Sequence, residues 1–145
     1  MVEGELEYSR LIEKNLPLAM PGLFDLIEHL KQTSLKLAVV SSSGMQHILL
    51  KLTKLGLLEF FPIIISGDQI SQGKPHLEGY LKASEKLKIE PEHCLVLEDA
   101  ENGVVAAKSA GMACVVIPSE YVQNGDYSKA DYIRQNLSEV IQILI

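Results

Sequence analysis

Four short apolar runs punctuate the chain: KLAVVS (36–41), FPIIIS (61–66), CLVLE (94–98) and ACVVIP (113–118). Each is rich in Val, Ile and Leu and closes on polar or turn residues. Continuous apolar runs of this length fit strands buried on both faces. Between them the apolar period changes. Met45, Ile48, Leu49, Leu52 and Leu55 share one helical face, and Gly56 supplies a stop. Leu77, Tyr80, Leu81 and Leu87 follow the same spacing, and Glu101 to Ala110 is an Ala/Val-rich segment that stops at Gly111. Pro21–Gly22 precedes an amphipathic stretch through Leu30, and Asn136 is placed to cap a last helix over LSEVIQIL. Strands alternating with helices of these lengths predict right-handed βαβ units and a Rossmann-like α/β fold, a parallel sheet flanked by helices.

Ligands of such sheets bind beyond the carboxyl ends of the strands. Those ends are Ser41–Ser43, Ser66–Lys74 and Glu98–Asp99. In VVSSSGM, a serine between strand and helix presents a hydroxyl and backbone N–H groups to one point, an anion cradle; the same residues also suit a plain helix N-cap. In SQGKPH, Lys74 precedes Pro75, a residue suited to a helix's first turn. It is either a solvated lysine or a point charge held over the strand ends against a phosphate. In LVLEDAENG, two carboxylates end a buried strand. They either cap and complement the next helix or offer hard oxygen ligands to a divalent cation. Gly103 suggests a close backbone approach by that helix. A hydroxyl, an ammonium and an acidic pair on different strand ends of one sheet supply three parts that phosphoryl transfer needs: phosphate anchor, counter-charge and metal ligand.

Composition narrows the partners. The 145 residues are 47% hydrophobic and 22% charged with a net charge of −6, which suits one globular domain and disfavours nucleic acid and anionic lipid. No stretch reaches the ~18 apolar residues that span a bilayer. Cys94 and Cys114 head apolar runs without metal or redox spacing, as reduced thiols do, and the N-terminus is acidic rather than signal-like. A cytoplasmic protein is expected. The four histidines, His29, His47, His76 and His93, are scattered, and His76 alone lies near Lys74.

The succession VVSSS, GKPHLEGY and VLEDAENGVVAAKSAGM resembles the second, third and fourth motifs of the haloacid dehalogenase-like superfamily, most closely its β-phosphoglucomutase and sugar-phosphate phosphatase branch. LPLAMPGLFDLIEHLK resembles the passage from that family's helical cap into its core, and SEYVQNGDYSKADYIRQNLSEV its closing segment. The resemblance implies a division into residues 1–20, a remnant of cap and linker, and 21–145, the α/β core. It implies that Ser41 and the backbone of Ser42 bind the transferring phosphate, that Lys74 stabilises its charge, and that Asp99 binds Mg²⁺ with Glu98 as a second acidic contributor. The substrate implied is a small, sugar-like phosphorylated molecule. Ala100 stands where a serine is frequent in this branch.

One part is absent. The family's nucleophile and its acid/base partner come from an Asp-x-Asp-x-Thr/Ser segment on the first core strand. The aspartates here are Asp25, Asp68, Asp99, Asp126 and Asp131, and none lies two positions from another. Without that segment no aspartate is in place to form the covalent phosphoryl intermediate, and Asp68 reads as a turn residue. The chain is therefore expected to be inactive, or nearly so, alone, with weakened affinity for Mg²⁺. The resemblance further predicts a core whose central first strand is missing. That leaves two unpaired inner edges open to a second copy, a homodimer or self-association, in a truncated member of the family. A non-catalytic phosphate-binding or protein-interaction module is the alternative. A phospho-receiver domain would need an acidic pair on the first strand, which the order of residues does not supply.

Overall fold

The computed structural model describes residues 3–6, 22–117 and 125–144. Six strands form one sheet: β1 (Glu3–Leu6), β2 (Leu37–Val40), β3 (Ile63–Ile65), β4 (Cys94–Glu98), β5 (Ala113–Val116) and β6 (Tyr132–Ile133). Their order is β3-β2-β1-β4-β5-β6, and every pairing is parallel. Among the described residues five α-helices accompany them: α1 (Leu23–Leu30), α2 (Met45–Leu55), α3 (Glu78–Leu87), α4 (Glu101–Ser109) and α5 (Val140–Leu144). The predicted Rossmann-like architecture is the one observed.

The four apolar runs are the strands they predict, because each packs both faces against apolar neighbours, the edge strand β3 only partly. Leu37 and Val39 face one core layer with Leu95, Leu97 and Val115, under α1, α2 and α5. Ala38 and Val40 face the other with Val96, Cys114 and Val116, under α3 and α4. Alternate residues of one strand thus feed opposite layers, and both layers are closed by helices, as a parallel sheet requires. Helix ends also follow the sequence. α2 stops at Gly56 and the turn after α4 passes through Gly111, at φ 70 and 81, backbone that favours glycine. The Asn136 side chain accepts from Glu139 N–H at 3.3 Å, capping a short 3₁₀ turn that runs into α5.

The centre of the sheet departs from expectation. The slot between β2 and β4 is not missing; β1 fills it, pairing Glu5 with Ala38 on one side and with Val96 on the other. The strand comes from the segment assigned above to a cap remnant, and residues 7–20 of that segment lie outside the described residues. Inner strand edges must pair, and a short extended stretch of the chain itself meets that demand. The reason for expecting self-association through an open sheet centre is thereby removed. A second difference lies at Pro75. It does not begin a helix: Lys74–Pro75 is a cis peptide in the turn ahead of α3, whose first residue is Glu78. β6, an exposed pair of residues beside β5, had no apolar run to announce it.

Candidate active site

The register of β1 sets the level of the site. Leu6 is opposite both Val39 and Leu97, so Ser41 and Asp99 emerge just past the ends of β2 and β4, on either side of the central strand. Ser41 is buried, and its N–H donates to Ile65 O at 3.0 Å, which continues the β2–β3 ladder by one residue. Its Oγ accepts from Ser43 N–H at 3.1 Å, a local turn that leaves the hydroxyl proton available to donate. The serines do not cap α2. Gly44 is the N-cap without a side-chain bond, and Met45 N–H is taken by Asp68 Oδ2 at 2.8 Å. Asp68, reaching from the loop after β3, serves that helix end rather than any reacting centre. Its loop lies close because Gly67 lets it: a Cβ there would stand 2.2 Å from Ser42 O.

Lys74 enters from the loop before α3. Its ammonium donates to Glu98 Oε2 at 3.0 Å and lies 5.0 Å from the centroid of the Tyr80 ring. Lys74, Ser41, Ser42, Gly73, His76 and Tyr80 line one cleft together with Val40, Ile70 and Gly79. The phosphate-binding residues inferred from sequence are therefore gathered in one place. Asp99 is not among the residues lining this cleft; it is buried beside Glu98, whose carboxylate holds Lys74.

Glu98 is the most heavily engaged side chain of the site. Oε2 accepts from Tyr80 Oη at 2.6 Å as well as from Lys74, and Oε1 accepts from Asp99 N–H at 3.0 Å. Burial works against its ionised form. The charge of Lys74 and the hydrogen bonds from Tyr80, Lys74 and Asp99 outweigh that cost, so its carboxyl lies below the usual glutamate range. Beneath it lies Gly103 of α4. A Cβ at that position would fall 1.9 Å from Glu98 Cδ and 2.0 Å from Oε2. The close approach foreseen at Gly103 is real, but its partner is the Glu98 side chain rather than backbone.

These contacts bear on a metal. Magnesium takes six oxygen ligands in near-octahedral geometry. Among the described residues no group of three or more His, Cys, Asp or Glu is disposed to hold an ion. The Glu98 oxygens are already directed at Lys74, Tyr80 and the Asp99 amide, which leaves Asp99 as the acid suited to a cation at this rim. Among the described residues the donor set falls short of a complete magnesium site. Nor does Asp99 cap α4: its N-cap is Ala100, without a side-chain bond, and Glu101 supplies the acid of the first turn.

One participant went unread in the sequence. Tyr80 counted only as one apolar position of a helical face, yet a fully buried tyrosine needs a partner for its hydroxyl, and that requirement was the available signal. His76 accepts from Glu78 N–H through Nδ1 at 3.1 Å, a turn contact, while its ring also borders the cleft. The thiols behave as expected: Cys94 and Cys114 are both buried and neither is in a disulfide.

The family model of the haloacid dehalogenase-like hydrolases matches residues 6–117. The chain belongs to the haloacid dehalogenase-like hydrolases. Among curated relatives in this family, validoxylamine A 7'-phosphate phosphatase of Streptomyces hygroscopicus subsp. limoneus is 34% identical over 133 residues, covering 92% of this chain and 62% of that protein. The phosphorylated carbohydrates phosphatase of Thermotoga maritima is 38% identical over 110 residues, 76% of this chain and 49% of its own. Among solved structures, CbbY from Rhodobacter sphaeroides in complex with phosphate superposes with a TM-score of 0.79 at 31% identity, covering 83% of this chain and 55% of that one. The chain thus spans roughly half to three fifths of the length of the relatives it matches. Among the described residues no helix is long and apolar enough to cross a membrane.

Proposed function

We propose that this chain carries the phosphate-binding and charge-stabilising part of a phosphomonoesterase or phosphomutase acting on small, sugar-like phosphates. The Ser41 hydroxyl and the Ser42 backbone receive the phosphoryl oxygens. The Lys74 ammonium faces the negative charge that builds up on them, a fixed charge in a partly dry cleft where such contacts act most strongly. Glu98, read from sequence as a metal ligand, instead orients Lys74. Asp99 is the acid we assign to Mg²⁺. So short a donor set would hold the ion weakly. The observation that carries the proposal is the convergence of Ser41, Ser42 and Lys74 on one cleft. The relatives that are sugar-phosphate phosphatases support the substrate class. A reducing, cytoplasmic setting suits the two buried thiols.

The sequence holds no Asp-x-Asp pair, so these 145 residues lack the nucleophile that phosphoryl transfer in this family uses. That absence favours a second reading, a phosphate-binding module without turnover. One experiment separates them. Calorimetry with inorganic phosphate, with and without MgCl₂, is expected to show binding that Lys74→Ala abolishes. Hydrolysis of p-nitrophenyl phosphate is expected to stay at background. Turnover that disappears in Lys74→Ala would establish a catalytic chain and retire the second reading. Absence of phosphate binding would refute both.

A further inference from the structure

We propose that Tyr80 is a positioning residue of this site: its hydroxyl clamps the Glu98 carboxylate and thereby fixes where the Lys74 ammonium sits at the cleft. For its functional consequence the inference rests on the phosphate reading above; its geometry stands independently.

Tyr80 has no exposed surface and is the largest fully buried side chain described. It touches both members of the ion pair, donating from its hydroxyl to Glu98 Oε2 at 2.6 Å and presenting its ring to Lys74 Nζ at 5.0 Å. The same Oε2 also receives the ammonium, at 3.0 Å. Glu98 is held from three directions: the phenol on one oxygen, the Asp99 amide on the other, and Gly103 against its Cγ, Cδ and Oε2. A lysine is a compact charge on a flexible stem, and its position is only as definite as that of its partners. The phenol proton also satisfies part of the Glu98 charge. Without it, Oε2 has fewer donors to share among, and the ammonium is drawn further onto the carboxylate and away from an incoming anion. Tyr80 acts through Glu98 and Lys74; it is assigned no contact with substrate chemistry.

The test is Tyr80→Phe, which keeps the ring and its packing and deletes the hydroxyl. Two readouts are followed: the dissociation constant for inorganic phosphate by calorimetry, and the position of Lys74 Nζ relative to Glu98 Oε2 in crystal structures of wild type and variant. The expected result is phosphate binding weakened roughly five- to ten-fold, from loss of a charge-assisted hydrogen bond, with Lys74 Nζ displaced from its wild-type position. Because the route runs through Glu98, the effect of Tyr80→Phe on phosphate affinity should vanish in a Glu98→Gln background. A variant that melts lower but leaves both readouts unchanged would make Tyr80 a packing residue and overturn the proposal, as would additive effects of the two substitutions. If the wild-type chain binds no phosphate, the phosphate reading fails. The clamp itself then stands or falls on the position of Lys74 Nζ in the two crystal structures, which does not depend on any ligand.

Discussion

Replacing Gly103 by alanine tests the core of this site with one methyl group. On helix propensity alone the change should help, since alanine is favoured over glycine by about 1 kcal/mol within a helix. The structure predicts the reverse. The new Cβ would fall 1.9 Å from Glu98 Cδ, 2.0 Å from Oε2 and 2.3 Å from Cγ, where carbon–carbon contact asks for about 3.5–4.0 Å. β4 ends at Glu98 and α4 begins at Glu101, so the backbone between them has little freedom to draw apart. The Glu98 side chain must leave instead, giving up hydrogen bonds of 2.6, 3.0 and 3.0 Å to Tyr80, Lys74 and the Asp99 amide. Breaking a buried ion pair costs about 3–5 kcal/mol. Set against the helix gain, a net loss of about 2–4 kcal/mol remains. At about 2–4 °C per kcal/mol for a domain near this size, the melting temperature should fall by roughly 5–15 °C. Urea unfolding of wild type and Gly103→Ala measures it directly. In a Glu98→Ala background the added methyl meets no carboxylate, and the same substitution should become neutral or mildly stabilising. A Gly103→Ala protein as stable as wild type would mean that Glu98 does not occupy this position, and the account of Lys74 would go with it.

Other outcomes follow from the same contacts. Lys74→Met leaves Glu98 buried without its counter-charge and should cost about 3 kcal/mol in denaturant unfolding, with most of the loss recovered in Lys74→Met/Glu98→Gln. Glu98, Glu78, Asp126 and Asp131 all have depressed carboxyl pKa values in the folded chain. Their stabilisation is complete above their ordinary values of 4.5 for Glu and 3.8 for Asp and fades as pH falls below them, so unfolding free energy measured against pH should decline below about pH 4.5. Burial, with Glu98 and Asp131 nearby, pushes the Cys114 thiol up to about 12; neither it nor Cys94 should react with a disulfide reagent at pH 8 until the protein is unfolded. Asp68→Ala removes the acceptor of Met45 N–H at the start of α2 and should cost about 1 kcal/mol in thermal melts.

Much of this molecule is written in runs that any reader of hydrophobic pattern would find. β2 to β5 announce themselves because each is apolar on both faces, and α2 because its apolar face ends on Gly56. Ser41 and Lys74 were legible as neighbours because topology alone places strand ends at one rim. The rest depended on side-chain geometry that spacing does not encode. Tyr80 looks like one more apolar position until its hydroxyl is seen to reach Glu98. Glu98 looks like a metal ligand until its oxygens are found turned toward Lys74 and the Asp99 amide. β1 was missed for another reason: EGEL alternates acids with small or apolar residues and carries none of the marks of a buried strand. Its place is dictated by the two neighbours that need a partner. β6 is two exposed residues, too short for any pattern to register.

That tetrapeptide has a consequence for handling the protein. β1 is the seam along which β3–β2 and β4–β5–β6 are joined, so a cut that removes residues 3–6 would strike the middle of the sheet, not its fringe. Removing residues 1–6 should part the sheet into two flaps held by helix packing and by the contacts of Lys74 and Tyr80 with Glu98. Proteolysis there should read out as loss of cooperative melting, whereas clipping a loose tail would leave the melt untouched. Assembly carries the same signature. β1 must find its partners near positions 37 and 94 before the centre of the sheet can close.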